Sequence, residues 1–397
     1  MPTLILARAL LAGVALLSLP PAVGAATPDP QVICDLVTEA AGSGIDRATT
    51  AWDGGTANIT FRPRSSDWRL AVIDLADDTA MPVMQIRALP ACNFTEARRL
   101  VRDDRGRPTE IEVLGSDLAT VRARQPVNPP VPLLAAGTGT ALLAHIDTGV
   151  NYLLPDIAPH LATDGDGRLL GFDFWDDDDR PYDTDPRRNA FFPMHHGTTT
   201  FSLLAREAPG IPIAAYRFPA PDLCRFEALI DHMDGLSVRV VSLSMGSSNR
   251  EEWRCFAAAA ERHPQMLFVV SAGNDGRDID LAPVYPAALP LDNIVTVTSS
   301  DDFGRLGRGS NSGATSVDFM VPAERIEVTD HRGARADTGG TSYAAPRLAA
   351  LAARYLSKNP DADSAAIISF LKRRARPAGD AALKYGWIPD PLDDYGF

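Results

Sequence analysis

Cysteine, basic charge and long apolar runs are all in short supply in this chain of 397 residues. Its four cysteines, Cys34, Cys92, Cys224 and Cys255, are too few for a disulfide scaffold and too scattered for a zinc site, which needs ligands paired a few residues apart. The 38 basic residues are outnumbered by 51 acidic ones, and a net charge of -13 lacks the basic patch by which a nucleic-acid partner would be held. A composition 45% hydrophobic and 22% charged is nevertheless that of a globular protein. It excludes disorder, collagen and coiled coil and leaves room for about two or three domains.

No apolar stretch reaches the ~20 residues that a membrane span requires. The run from Ala9 to Leu19 follows Arg8, stops at Pro20-Pro21 and is followed by small residues at Val23 and Ala25. This pattern predicts a signal peptide over residues 1–25 and a protein that is secreted or periplasmic, with no membrane anchor. Export permits disulfides. The positions suggest Cys34 with Cys92 and Cys224 with Cys255; four buried free thiols are the alternative.

The segment from Arg122 to Pro132 carries four prolines and reads as a linker over 122–132. Ahead of it, over 26–121, lie a helix-like start from Gln31 to Ala40, strand-like runs at 57–63, 68–76, 82–89 and 109–115, and a charged stretch, Thr95 to Asp104, expected to be helical. A small α+β domain is the expectation, with no cluster of catalytic residue types in it. Beyond the linker, apolar runs without alternation end at Asp147, Phe218, Ser244, Gly273 and Ser300 and are separated by helix-like stretches. Strands buried on both faces and separated by helices predict an α/β fold with a parallel sheet covered by helices on both faces. Ligands of such sheets bind beyond the carboxyl ends of the strands.

The polar residues at those ends include Asp147 in Ile-Asp-Thr-Gly, Ser242 and Ser244, and Asn274 in Ala-Gly-Asn. Two further pieces are His195-His196-Gly197-Thr198 ahead of a helix-like run, and Gly339-Gly340-Thr341-Ser342 opening an alanine-rich helix. Any one of them alone reads as a turn, cap or surface feature. In the order Asp, His, Ser, the chain from about 133 to 376 resembles the subtilisin-like serine peptidase family, on the blocks AHIDTGV, HHGTTT, VVSLSMGS, VVSAGNDG and GGTSYAAPRLAALAA. The resemblance implies a subtilisin-like catalytic domain over 133–376, with 377–397 as a C-terminal extension.

It further implies Ser342 as nucleophile, His196 as general base, Asp147 as the carboxylate that orients the imidazole, and Asn274 as oxyanion donor. A serine hydroxyl needs such a base, and the base such an orienting group. Ser244, Met245 and Gly246, facing Ser271, Ala272 and Gly273, are implied to bind an extended polypeptide substrate. The peptide bond before Pro286 is implied to be cis. His195 is left as a surface residue. No cofactor is needed for this chemistry. The N-terminal domain is implied to be a propeptide, with a permanent accessory domain as the alternative.

Departures from the family pattern fall beside the expected site. After Gly197-Thr198 the family has a second histidine and then Val-Ala-Gly, where this chain has Thr199, Thr200, Phe201 and Ser202. After the serine it commonly has methionine; here it is Tyr343. The acidic run Asp176 to Asp179, with Asp164, Asp166, Asp183 and Asp185 nearby, offers oxygen ligands of the type calcium takes. Its spacing suits a solvated acidic loop better, so no metal ligand is assigned and a structural calcium stays open. A peptide-binding relative with weak catalysis is the second functional reading. An esterase of the α/β-hydrolase class lacks its Gly-x-Ser-x-Gly elbow and has its triad in another order.

Overall fold

The computed structural model describes residues 27–63, 69–89 and 92–397; the leader expected over 1–25 lies outside them. The chain divides into two compact units, Met1–Arg124 and Gln125–Phe397.

The first unit is a seven-stranded sheet in chain order: β1 (Arg47–Trp52), β2 (Gly55–Pro63), β3 (Arg69–Ala76), β4 (Pro82–Leu89), β5 (Asn93–Arg102), β6 (Pro108–Leu114) and β7 (Val121–Pro126). Helix α1 (Pro30–Gly42), capped by the Asp29 carboxylate on the Gln31 N–H at 2.8 Å, buries Ile33 and Val37 among Ile59, Ile73 and Ile86. Cys34 is bonded to Cys92.

Two expectations are corrected here. Thr95 to Asp104 is not helical: most of it forms β5. Ala97 and Leu100 are buried at a spacing that suits a helix, but the charged residues beside them have partners on adjacent strands. Glu96 accepts from Arg87 of β4 at 3.0 Å, and Arg99 donates to Glu112 of β6 at 2.8 Å, so tertiary pairing overrides local pattern. The first half of the expected linker is strand as well. β7 is an edge strand that ends at Pro126, a position where proline is tolerated.

The second unit is built on an eight-stranded parallel sheet in the order β17-β14-β13-β12-β11-β8-β10-β9. Its strands are β8 (Leu143–Asp147), β9 (Phe172–Asp173), β10 (Ile213–Arg217), β11 (Val240–Leu243), β12 (Leu267–Ser271), β13 (Ile294–Ser300), β14 (Phe319–Pro322) and β17 (Gly386–Trp387); β15 (Ile326–Thr329) and β16 (Arg335–Thr338) form a separate hairpin. Neighbouring residues of one strand face opposite ways. Leu143, Val240 and Val269 pack with α2 (Gly197–Glu207) and α5 (Thr341–Lys358), whereas Ala144, Val241 and Val270 pack with α3 (Phe226–Gly235) and α4 (Arg254–Arg262). Both faces are therefore covered, which explains the unbroken apolar runs.

Residues 377–397 are not an appendage. β17 extends the sheet beyond β14, Ile388 is buried, and Asp394 pairs with Arg354 of α5 at 2.9 Å. Helix α6 (Ser364–Arg374) packs on α5 ahead of this segment. Cys224 is bonded to Cys255, and the peptide bonds before Pro221 and Pro286 are cis.

Candidate active site

β8 lies between β10 and β11, so the chain leaves it first to one side and then to the other. The carboxyl end of such a strand opens on a crevice, and the residue there is Asp147. Its buried carboxylate takes the Thr148 N–H at 2.7 Å on Oδ1 and the Thr200 hydroxyl at 3.1 Å on Oδ2. His196 Nδ1 lies 2.8 and 2.9 Å from the two oxygens. Burial pushes the Asp147 carboxyl up, but the facing imidazole and the donors outweigh it and the net displacement is downward. Burial likewise pushes His196 down, and the Asp147 carboxylate reverses this to a net rise.

His196 is the N-cap residue of α2, where free amide groups need acceptors. Asp183, fully buried, supplies them: its Oδ2 accepts from the Thr198 N–H at 2.9 Å and its Oδ1 from the His196 N–H at 3.2 Å. Thr148 Oγ1 accepts from the Gly197 N–H at 2.8 Å and donates to Asp183 at 2.5 Å. A Cβ on Gly197 would fall 2.0 Å from the Gly149 carbonyl, so only glycine lets α2 start against the end of β8. The two histidines part company. His195 stacks on His331, centroids 3.6 Å apart, with Nδ1 on the Asp183 carbonyl, and is half-buried rather than a surface residue.

Ser342 is the second residue of α5. Four residues on stands Pro346, which has no N–H to give the Ser342 carbonyl, and the Ser244 hydroxyl donates to that carbonyl instead at 2.9 Å. The Ser244 side chain is thus committed to α5. Asn274 is fixed by its Oδ1, which accepts from the Thr341 N–H at 3.0 Å and leaves Nδ2 as its free donor. Asn311 holds the segment that bears Asn274, accepting from Asp275 N–H at 3.0 Å and Arg277 N–H at 3.1 Å and donating to the Ala272 carbonyl at 2.8 Å.

A cleft of about 550 Å³ is lined by Ser342, Asn274, Ser244, Met245, Gly246, Ser271 and Gly273, as well as by Arg188 and Val284. Ala272 does not line it; its side chain is in the core beneath. Neither a strand end nor a motif assigns Asp183, Asn311, Thr200 or His145 a place in this site. Asn311 sits in Gly309-Ser310-Asn311-Ser312-Gly313, and Asp183 stands out in the sequence only as one oxygen ligand among several. The acidic run is largely paired with arginine: Asp176 with Arg217, Asp177 with Arg225, Asp178 with Arg180.

A family model described as the subtilase family matches residues 138–387. The chain is 29% identical over 239 residues to a thermophilic serine proteinase of Bacillus sp. (strain AK1), covering 56% of this chain and 53% of that one. It is 28% identical over 237 residues to thermitase of Thermoactinomyces vulgaris, covering 58% and 80%. Among solved structures, a cold adapted subtilisin-like serine proteinase matches with a TM-score of 0.51 and 23% identity over 66% of this chain and 92% of that one, a likeness of fold. The chain spans about half the length of the Bacillus relative. With a model that covers well over half of its residues, the chain belongs to the subtilase family.

Proposed function

We propose that the protein is an exported serine endopeptidase acting through an acyl-enzyme on Ser342. The observation that carries this reading is the contact of His196 Nδ1 with both oxygens of Asp147, which leaves Nε2 as the ring nitrogen free to take a proton. The polypeptide substrate binds extended beside Ser244-Met245-Gly246 and Ser271-Gly273, by backbone hydrogen bonds. Ser342 Oγ attacks the carbonyl carbon as His196 Nε2 takes its proton, and Asp147 holds the ring in one tautomer and stabilises the imidazolium. Asn274 Nδ2 and the Ser342 N–H donate to the developing oxyanion; such a donor is worth about 10²–10³ in turnover. The tetrahedral adduct collapses as His196 protonates the departing amine. Water, deprotonated by the same nitrogen, then releases the carboxylate and restores Ser342.

A fluorophosphonate probe tests this directly: folded wild type is labelled at Ser342 and Ser342→Ala is not. A folded, unlabelled wild type overturns the reading in favour of a peptide-binding relative. Intact masses of the two proteins test a second element of the proposal, that residues 26–121 are a propeptide. Wild type is expected to be shorter than Ser342→Ala by that segment; equal masses mean that the chain does not process itself.

A further inference from the structure

Two residues before Asp147, in the middle of an otherwise apolar strand, stands His145, fully buried. Its Nε2 lies 2.9 Å from Thr200 Oγ1, and Thr200 Oγ1 lies 3.1 Å from Asp147 Oδ2. His145 Nδ1 has no hydrogen-bond partner among the described residues, so this ring reaches out through Nε2 alone. Thr200 occupies the place where the family pattern has valine, so a hydroxyl has been brought to the back of the carboxylate together with a buried imidazole.

The direction of the chain of bonds follows from charge. The Thr200 hydroxyl could donate to the Gly197 carbonyl at 3.1 Å, to the His196 carbonyl at 3.4 Å or to the Asp147 carboxylate at 3.1 Å, and a bond to an ionised acceptor is about twice as strong as one to a neutral acceptor. Donating to Asp147, it must accept from His145, whose proton is then on Nε2. Burial pushes His145 down to about 4, so the ring is neutral and carries a single N–H. The other ionisable groups about the pair are Asp183, bound to the start of α2, and Arg217, aligned with Asp147 on β10 but tied to Asp173 and Asp176. Tyr343 of α5 has its ring 6.3 Å from that of His196.

The geometry points to Thr200 and His145 as positioning residues that, through Nε2–H to Oγ1–H to Oδ2, orient the Asp147 carboxylate and set the basicity of His196. This rests on the peptidase reading. Without the Thr200 donor, Asp147 holds a less stabilised charge, attracts the imidazolium more strongly and is freer to turn.

The test compares wild type, Thr200→Val, Thr200→Ser and His145→Phe by peptide hydrolysis, and reads the His196 ring by nitrogen NMR titration in a Ser342→Ala background. Thr200→Val is expected to raise the His196 titration by roughly half a unit or more. It is expected to lower kcat about tenfold with KM nearly unchanged, as a misplaced catalytic group does. Thr200→Ser restores both, and His145→Phe moves both in the same direction by less. A folded Thr200→Val with wild-type titration and kcat overturns the assignment; if that variant does not fold, an unmoved titration in folded His145→Phe does so. The titration needs no turnover, so an inactive wild type would count against the peptidase reading and leave the relay separately measured.

Discussion

The hydroxyl groups of Thr199 and Tyr343 lie 3.2 Å apart, joining the first turn of the helix that His196 caps to the first turn of the helix that carries Ser342. Along the sequence the two residues are unconnected departures from the family pattern. In space they are one contact, so their effects should not add. In a double-mutant cycle of Thr199→Ala and Tyr343→Phe, we expect a coupling of about 1 kcal/mol in urea unfolding. Strictly additive losses would show that the hydroxyls do not interact.

The acid limb of kcat/KM should lie above the ordinary imidazole value of about 6.5. Burial alone would lower His196, but the Asp147 carboxylate raises it overall. As the proposed base, His196 must be neutral to accept the Ser342 proton, so activity is expected to fall as pH drops through that raised value. A limb well below pH ~6 in a pH-rate profile would contradict the assignment.

Gly340 has φ +118°, and a Cβ there would stand 3.0 Å from Asn274 Oδ1. Gly340→Ala is therefore expected to cost about 1–3 kcal/mol in backbone strain. With Asn274 as the proposed oxyanion donor, its displacement should also lower turnover by about 10²–10³. Unfolding and kinetics of this one variant check both, and a variant with wild-type turnover would show that Asn274 tolerates the intrusion.

Asp183→Asn replaces an acceptor by an amide whose NH₂ meets N–H groups. We expect a loss of about 2–4 kcal/mol together with reduced activity, because the same carboxylate seats His196. Burial works to raise Asp183, but His331, His195 and Thr148 hold it well below the ordinary carboxyl range. Its stabilising charge is accordingly present above the unfolded value of about 3.9 and is lost as pH falls toward the folded one. Unfolding of both proteins between about pH 2 and 7 should show their difference shrinking at the acid end.

Replacing Cys224 and Cys255 by serine removes a bridge with a sequence separation of 31 residues. Chain entropy puts the loss at about 3–4 kcal/mol. Thermal unfolding measures it, and an unchanged midpoint would mean that the bridge contributes no net stability.

What could be read from the sequence was what repeats the logic of the sheet: apolar strands without alternation, each delivering a polar residue to one edge. Asp147 and Asn274 stand out on that basis, the opening of α5 only as a glycine-rich helix start that the family resemblance singles out, and both cysteine pairings follow from position. β5 departs from its helical spacing because Ala97 and Leu100 mimic a helix while their charged neighbours are satisfied across the two flanking hairpin strands, β4 and β6, partners that a local periodicity does not register. β17 was missed because two residues carry no periodicity, and its place depends on β14, more than 60 residues earlier. His145 looked like filler in an apolar run, and Thr200 like an unexplained substitution. Only the fold makes them neighbours of one carboxylate.

α5 is buried along most of its length and packs against β11, β12, β13, β14 and α2. Beyond its first turn, an element clamped by so many others exposes its amides to exchange only when the whole unit opens. Ser342 is therefore tied to the slowest-opening part of the protein, and the capacity to be labelled should vanish together with the fold on heating, with no folded but inactive species in between.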